Sequence, residues 1–411
     1  MGNGHDSNDR ILFVCSTKLL LFNALHVRMH MFPKARADII FDFSRPDTEA
    51  IVERLKKTGL FENVAYRMPE KLDLKEYFSR LRNNQPVPSI GVAIKNFVKK
   101  YTDKPEAVNT ATRYLIEQIS GYETLDLEQY THIFGQGNTE TIRDIVSIIK
   151  KVNRNCKLCV LEEGIGSYVR GEICGNEKSD YIYVFDPEAV VYDHGDIIRE
   201  IIPIDRNDKR FIDCINFVFD YRGGNNITRN IIFFDDYVAD MPAYLKKNKL
   251  LSKTILRNSY KKHLKEMQNY LEQKEFFDLL CQYRDDRKIW VKLHPTTKRD
   301  TVETDYLSRN NVSIFEPVFI PWEVVCLNND IRDNIIVTMG SSAVRSNSIF
   351  LGYKDTNTYL IPVEAITDVY GVNKNVVISF KIWSKGKNIR CLFPKSIEEY
   401  VEELKQIFNT K

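Results

Sequence analysis

The sequence predicts an α/β protein with two doubly wound halves of similar size that face a cleft. Short apolar runs of strand length alternate with longer segments of helical length, which is typical of parallel sheets covered by helices. The alternation restarts after the glycine- and asparagine-rich segment Tyr221–Asn226. The chain of 411 residues also exceeds the size at which a single hydrophobic core stops growing. Two domains are therefore expected.

The first half contains five apolar runs that we interpret as buried strands. They are Ile11–Ser16, Ile39–Phe43, Leu60–Tyr66, Thr131–Phe134 and Lys157–Leu161. Segments of helical length separate them: Leu19–Met31, a helix opened by Pro46-Asp47 that extends to Lys57, most of residues 74–120, and Thr139–Lys151. We expect residues 1–10 to be a disordered N-terminus and residues 11–222 to form the first Rossmann-like domain.

The second half repeats the pattern over residues 223–395. Its predicted strands are Asn230–Phe234, Lys288–Leu293, Val312–Phe315, Ile335–Met339 and Tyr359–Pro362, with a helical region at Lys246–Arg284. Ser396–Phe408 has the apolar spacing of an amphipathic helix. We expect this terminal helix, in residues 396–411, to pack back on the first domain.

Composition excludes several functional classes. The net charge of +3 gives no case for nucleic acid binding, which favours a strongly basic domain. The N-terminus has no apolar signal region, and no apolar run is long enough to span a membrane. The eight cysteines lie scattered, several in apolar runs, and Cys156-x-x-Cys159 has no second pair that would complete a zinc site. A reducing cytoplasm is the expected location.

Three polar segments directly follow predicted buried strands. They are Glu162-Glu163-Gly164, Lys292-Leu293-His294-Pro295 and Gly340-Ser341-Ser342. The carboxyl ends of strands in open α/β sheets border the crevice where ligands bind. We therefore expect one site divided between the two halves.

Each segment suits a different chemical task. Gly340, Ser341 and Ser342 precede a short predicted helix, whose unpaired N–H groups and dipole would favour a phosphate, although serine is also a common N-cap. Pro295 restricts the backbone before it, so the direction of His294 is well defined, and an imidazole can bind a phosphate or donate a proton. Lys292 makes this neighbourhood basic.

The acid pair suits general base catalysis. Glu162 and Glu163 point to opposite faces of an extended segment, so one could face the cleft while the other braces the loop. Alternatively, both cap a glycine turn and meet solvent. Gly164 permits a close approach of substrate or lid.

Weaker candidates lie at other strand ends. Glu323, at the start of a predicted helix, could accept ribose hydroxyls or be an ordinary first-turn acid. Gln136 and Asn138 could contact an acceptor, although a plain turn is the simpler interpretation. No Asp-x-Asp metal motif stands at a strand end, and Asp235-Asp236 lacks that spacing, which fits a site that uses neither a metal nor a cofactor.

The ordered set of motifs resembles the bacterial GT-B sialyltransferases, which include capsular polysialic acid and lipooligosaccharide enzymes. Their acidic pair with glycine, His-Pro and Ser-Ser/Thr motifs match Glu162-Glu163-Gly164, His294-Pro295 and Ser341-Ser342. The resemblance covers the motif order between Glu162 and Ser342. It implies a GT-B fold, with the first domain on the acceptor side and the second binding the nucleotide sugar.

The resemblance also implies a reaction. A nonulosonic acid would move from its CMP-activated form to a hydroxyl of a surface glycan, with inversion and without a metal. One glutamate of the pair, Glu162 by family position, would be the general base. His294 would contact the departing CMP phosphate, Ser341 and Ser342 would hold it, and Glu323 would bind the cytidine ribose. Lipid-linked acceptors would imply peripheral association with the inner face of the bacterial membrane.

Three alternatives stay open. Similar motifs on a GT-B frame occur in CDP-polyol phosphotransferases of teichoic acid type, where a second histidine functions; His194 is the nearest counterpart here. A CMP-Kdo transferase would use the same nucleotide. A non-catalytic module that binds nucleotide sugars or glycans is the third, although an acid pair opposite a phosphate site disfavours it.

Overall fold

The structure is a computed structural model that describes most of the chain. The described residues are 9–43, 47–67, 119–137, 140–170, 173–174, 177–223, 227–236, 257–294, 306–349, 355–368 and 371–409. The chain forms two compact units, one of Met1–Glu163 and Glu172–Tyr183, the other of Gly164–Gly171 and Val184–Lys411.

The first unit is built on a mainly parallel sheet. Its strands are β1 (Arg10–Cys15), β2 (Arg36–Phe41), β3 (Val64–Arg67), β4 (Ile119–Ser120), β5 (His132–Gly135), β6 (Lys157–Leu161) and β9 (Tyr181–Val184). They lie in the order β9-β6-β5-β1-β2-β3-β4. Only β4 pairs antiparallel among them, against β3. Without β4, this is the Rossmann order, in which the strand order reverses between the first and fourth strands of the series, here β1 and β5.

The second unit has a sheet whose neighbouring strands are all parallel. Its strands are β11 (Ile231–Phe234), β12 (Ile289–Lys292), β13 (Val312–Ile314), β14 (Ile335–Val337), β15 (Thr358–Leu360) and β16 (Arg390–Leu392). The order β13-β12-β11-β14-β15-β16 is again the Rossmann order, with its switch point between β11 and β14. The predicted α/β class, with one Rossmann-like sheet in each unit, is therefore confirmed.

Helices follow most strands, and three further strands are short. The α-helices are Lys18–His26, Thr48–Thr58, Glu140–Val152, Gly166–Val169, Lys209–Phe219, Arg257–Tyr283, Trp322–Asn328, Ser346–Ile349, Asn373–Lys387 and Ile397–Asn409. The short strands are β7 (Ile173–Cys174), β8 (Glu177–Lys178) and β10 (Ile198–Glu200). A π-helical turn, Val27–Met31, continues the first helix, so the predicted helical segment Leu19–Met31 is confirmed.

The division into units differs from the predicted boundary at 222/223. The second unit already contains Gly164–Gly171 and all residues from Val184 onward. The physical reason is that helix Lys209–Phe219 packs in the second unit, where Asn216 and Asn328 exchange side-chain hydrogen bonds of 2.7 Å. In addition, Arg206 donates to the carbonyl of Asn329 at 3.0 Å.

The terminal helix also differs from its prediction. Helix Ile397–Asn409 lies in the second unit and packs on helix Arg257–Tyr283. The Tyr400 ring meets Phe276 edge-on at 4.8 Å between centroids. Leu404 and Phe408 join the same apolar core. Its amphipathic face was predicted correctly, but the partner was not.

Other sequence interpretations have mixed outcomes. Most of the predicted helical segment 74–120 lies outside the described residues, and its last two residues form β4 rather than helix. Cys156 and Cys159 are buried as free thiols, as expected of structural residues. Among the described helices, none is long and apolar enough to cross a bilayer.

Candidate active site

The acid pair follows β6 in the first unit, and its backbone is held on both sides. The Glu162 N–H donates to the Tyr183 carbonyl at 3.0 Å. Its carbonyl accepts a hydrogen bond from Asn23 Nδ2 at 2.7 Å. Glu162 is only 4% exposed, whereas Glu163 is partly exposed. The expected alternation of an extended segment is therefore observed, and Glu163 is the solvent-accessible carboxylate of the two.

The Glu163 carboxylate lies near the end of β1. Burial raises the pKa of the Cys15 thiol well above its usual range, and the negative charge of Glu163 raises that pKa further. Cys15 is the last residue of β1, and β5 separates β1 from β6 in the sheet. The carboxylate therefore lies close to the switch point of the first unit, where open α/β sheets bind ligands.

Gln136 follows β5 at the same sheet edge. The side chain is buried, and its Oε1 has no hydrogen-bond partner among the described residues. Buried polar atoms of native proteins are normally paired, so this amide could accept a hydrogen bond from a ligand hydroxyl. Asn138, the other predicted acceptor-side residue, lies outside the described residues.

In the second unit, strand register brings the histidine and serine segments together. Phe234 of β11 pairs with Lys292 of β12, and Phe233 pairs with Val337 of β14. Continued for two or three residues, this parallel register puts Asp236, His294 and Gly340 at one level beside the switch point. His294 is exposed there. Pro295 lies outside the described residues.

Asp236 and Thr338 organise the serine loop, and neither was among the predicted site residues. Asp236 Oδ2 accepts hydrogen bonds from Thr338 Oγ1 at 2.6 Å and from the Met339 N–H at 2.7 Å. Thr338 Oγ1 accepts from the N–H groups of Gly340 at 3.1 Å and Ser341 at 2.8 Å. Burial raises the pKa of Asp236 to about 7, against the lowering effect of these hydrogen bonds.

This network corrects the predicted phosphate cradle. The cradle was expected to use unpaired N–H groups of the Gly340-Ser341-Ser342 turn, yet those of Gly340 and Ser341 are bonded within the protein. The following helical turn, Ser342–Arg345, is a short 3₁₀ segment capped by Ser341 Oγ. The serine hydroxyls are thus the better candidates for phosphate contacts.

Gly164, the glycine of the acid motif, contacts the second serine. Both residues belong to the second unit. A Cβ built on Gly164 would lie 2.9 Å from Ser342 Oγ, and its φ of +151° disfavours any other residue. The chain therefore brings two of the three predicted segments into contact through a position that requires glycine.

A buried arginine strengthens this junction. Arg345 ends the 3₁₀ turn after the serines and is 1% exposed. Its guanidinium stacks over the Tyr168 ring at 4.0 Å and lies 3.6 Å from Asp186. Tyr168 belongs to helix Gly166–Val169, which begins two residues after Gly164. Two contacts therefore join the segment after the acid pair to the serine turn.

The two other predicted nucleotide residues are buried in protein contacts. Lys292 Nζ donates to the Val318 carbonyl at 2.7 Å. Glu323 lies in the first turn of helix Trp322–Asn328, as predicted, and Oε1 accepts from Ser346 Oγ at 2.8 Å. Burial raises the pKa of Glu323, while Ser346 and the nearby Lys292 charge oppose that rise. These contacts fasten loops beside the site.

Two comparisons with known proteins found no match: no family model matches, and no curated protein matches. Among the described residues, no group of three or more His, Cys, Asp or Glu could hold a metal ion.

Solved structures similar to the chain share little sequence with it. An alpha/beta-galactoside alpha-2,3-sialyltransferase from Photobacterium phosphoreum is 11% identical, with a TM-score of 0.46, over 93% of this chain and 99% of that chain. MurG from Acinetobacter baumannii is 8% identical, with a TM-score of 0.41, over 98% and 90%. A UDP-GlcNAc 2-epimerase from Neisseria meningitidis is 11% identical, with a TM-score of 0.40, over 97% and 98%.

Proposed function

We propose that the protein is an inverting glycosyltransferase that moves sialic acid, or a related nonulosonic acid, from a CMP-activated donor to a glycan hydroxyl. The contact of Gly164 with Ser342 Oγ carries the proposal, because it joins the glycine of the acid motif to the serine motif. The acceptor would be a capsular or lipooligosaccharide glycan. The reaction would take place in the cytoplasm at the inner face of the membrane.

The acceptor side uses the first unit. We assign the general base to Glu163 rather than Glu162, because an acceptor hydroxyl must reach the carboxylate and Glu162 is buried. Glu162 and Asn23 would instead hold the loop through the hydrogen bond between them. Gln136 would accept a hydrogen bond from an acceptor hydroxyl through Oε1, which has no partner among the described residues.

The donor side uses the second unit. Ser341 and Ser342 would donate hydroxyl hydrogen bonds to the CMP phosphate, and His294 would stabilise that phosphate as it departs. Asp236 and Thr338 would position the serines through their bonds to the loop backbone. Lys292 and Glu323, which are buried in protein contacts, would support neighbouring loops rather than touch the ribose.

The proposed transfer moves one proton, forms one bond and breaks one bond, and no metal takes part in it. The Glu163 carboxylate removes the proton of the acceptor hydroxyl, whose oxygen forms the new bond to the anomeric carbon of the sugar. The bond from that carbon to the CMP phosphate oxygen breaks, and its electron pair leaves with CMP. A protonated His294 would neutralise charge on the departing phosphate. Attack from the opposite face inverts the anomeric configuration.

A donor screen tests the proposal. The purified chain is incubated with CMP-sialic acid, CMP-Kdo or CDP-glycerol, with and without a sialylated or galactose-terminated acceptor, in EDTA, and nucleotide release is measured. We expect CMP release from CMP-sialic acid that rises with acceptor. Release from CDP-glycerol alone would instead indicate a polyol phosphotransferase, and release from CMP-Kdo alone a Kdo transferase.

The His294→Ala variant separates an enzyme from a binding module. We expect CMP release to fall by about 100-fold or more while CMP binding, measured by calorimetry, weakens only modestly. His194→Ala is the control, because His194 lies in a loop and is only partly buried. If the unaltered chain consumes neither a CMP sugar nor CDP-glycerol although CMP binds, the protein is a non-catalytic module.

A further inference from the structure

Helix Asn373–Lys387 in the second unit has one buried and one exposed face. Val376, Val377, Phe380 and Trp383 are buried and fix the helix to its unit. Lys374, Ile378, Lys381, Ile382 and Lys385 are exposed. Their spacing of four, three, one and three residues aligns them along one side of an α-helix. We call these five residues the lysine–isoleucine stripe.

The stripe contains apolar surface that the described residues leave exposed. Ile378 is 38% and Ile382 37% exposed, one helical turn apart. The Lys381 ammonium lies 5.4 Å from the centre of the Phe393 ring, which is partly exposed beside the stripe. Two β-branched residues and an aromatic ring among lysines form a surface with both apolar and basic character.

The charge of this helix has a single sign. Its sequence, NKNVVISFKIWSKGK, contains four lysines and no acidic residue. Arg390, just after the helix, is also exposed. Exposed helix faces of ordinary solvated surfaces usually mix both signs. An all-basic face therefore complements an anionic partner.

We propose that the lysine–isoleucine stripe docks on the surface of an anionic lipid bilayer. Lysines along the stripe would attract anionic headgroups, while Ile378 and Ile382 would insert at the boundary between headgroups and acyl chains. The exposed isoleucines favour a bilayer over a nucleic acid or a soluble acidic polymer, because those partners offer no apolar phase. The proposal rests on this surface and is independent of the proposed reaction.

Vesicle sedimentation tests the proposal directly. The purified chain is mixed with vesicles of phosphatidylcholine alone or of phosphatidylcholine with phosphatidylglycerol at three to one, and the bound fraction is measured. We expect binding to the anionic vesicles only, weakened by salt. At about fivefold in affinity per lysine near the surface, Lys381→Gln with Lys385→Gln lowers affinity by about 25-fold. Ile378→Ser with Ile382→Ser lowers it by about tenfold.

Lys56→Gln with Lys57→Gln is the matched control. These two lysines are exposed on helix Thr48–Thr58, so the variant changes net charge equally and should bind vesicles normally. Circular dichroism verifies that each variant is folded. Absent binding to anionic vesicles, or equal losses in stripe and control variants, would overturn the proposal. Retention on immobilised heparin that needs the stripe, with vesicle binding that does not, would assign the face to a soluble polyanion and overturn it too.

Discussion

Gly164→Ala tests the junction between the acid and serine motifs. The new methyl group would lie 2.9 Å from Ser342 Oγ, which is closer than Cβ atoms approach other atoms in real proteins. Alanine would also adopt the unfavourable φ of +151°. Backbone strain of this kind costs roughly 1–3 kcal/mol. The crowded hydroxyl adds a second cost and displaces Ser342.

A double-mutant cycle separates these two costs. Ser342→Ala removes the crowded oxygen, so Gly164→Ala should destabilise that background by about 0.5–1 kcal/mol less than it destabilises the original chain. The remaining cost is the backbone strain. Gly195→Ala is the control, because its φ is +55° and no described atom lies within 4 Å of the added Cβ. It should show strain but no coupling to Ser342→Ala.

Urea unfolding followed by tryptophan fluorescence is a suitable assay. The three tryptophans, Trp290, Trp322 and Trp383, all lie in the second unit, so fluorescence reports the unfolding of the unit that contains the junction. Additive effects of Gly164→Ala and Ser342→Ala, within about 0.3 kcal/mol, would refute the contact between the two motifs. Equal coupling in the Gly195 cycle would refute its specificity.

Three further substitutions test the second unit. Thr338→Val leaves the Gly340 and Ser341 N–H groups without their acceptor. We expect the free energy of unfolding to fall by about 1–3 kcal/mol and hydrogen exchange at both amides to become faster. Unchanged exchange would contradict the hydrogen-bond network. Asp236→Asn should change the pH dependence of the free energy of unfolding. The folded-state pKa of Asp236, about 7, is raised from 3.8, so the folded chain holds a proton that the unfolded chain has released between these values. The free energy of unfolding of the original chain should therefore fall as pH rises through this window, by at most about 1.4 kcal/mol per pH unit from this group, relative to Asp236→Asn. Urea midpoints at pH 4.5 and 7.5 check the sign, and an unchanged difference would refute it. Arg345→Met leaves Asp186 without its cation and Tyr168 without its stacking partner, with an expected cost of about 3 kcal/mol in urea unfolding. A cost under about 1 kcal/mol would show that the buried pair does not hold the junction.

Much of the fold could be predicted from sequence because buried parallel strands are apolar and short. The run Lys157–Leu161 became β6 with the same bounds. Strands with mixed composition, such as β16 (Arg390–Leu392), lack that signal and were missed. The terminal helix shows a different limit, since an amphipathic pattern reveals a buried face but not the element that covers it.

The candidate site could likewise be predicted only in part. The acid, histidine and serine segments were found because polar residues follow apolar runs. Asp236 follows the strand Asn230–Phe234 in the same way, so the same signal could have found it. Thr338 and Arg345 could not be found, because their importance comes from contacts distant in sequence: Thr338 with Asp236, and Arg345 with Tyr168 and Asp186. The sequence pattern also suggested that the N–H groups of Gly340 and Ser341 bind a phosphate, but both donate hydrogen bonds to Thr338 within the loop.

In the proposed reaction, an accessible carboxylate in the first unit activates an acceptor hydroxyl for transfer from a CMP sugar. The most direct test measures acceptor-dependent CMP release from CMP-sialic acid by Glu163→Gln and Glu162→Gln, with CMP affinity measured in parallel. We predict that Glu163→Gln lowers kcat by about 100-fold or more with CMP affinity unchanged, and that Glu162→Gln has a smaller effect. Undiminished release in Glu163→Gln, or no release by the unaltered chain, would contradict the claim.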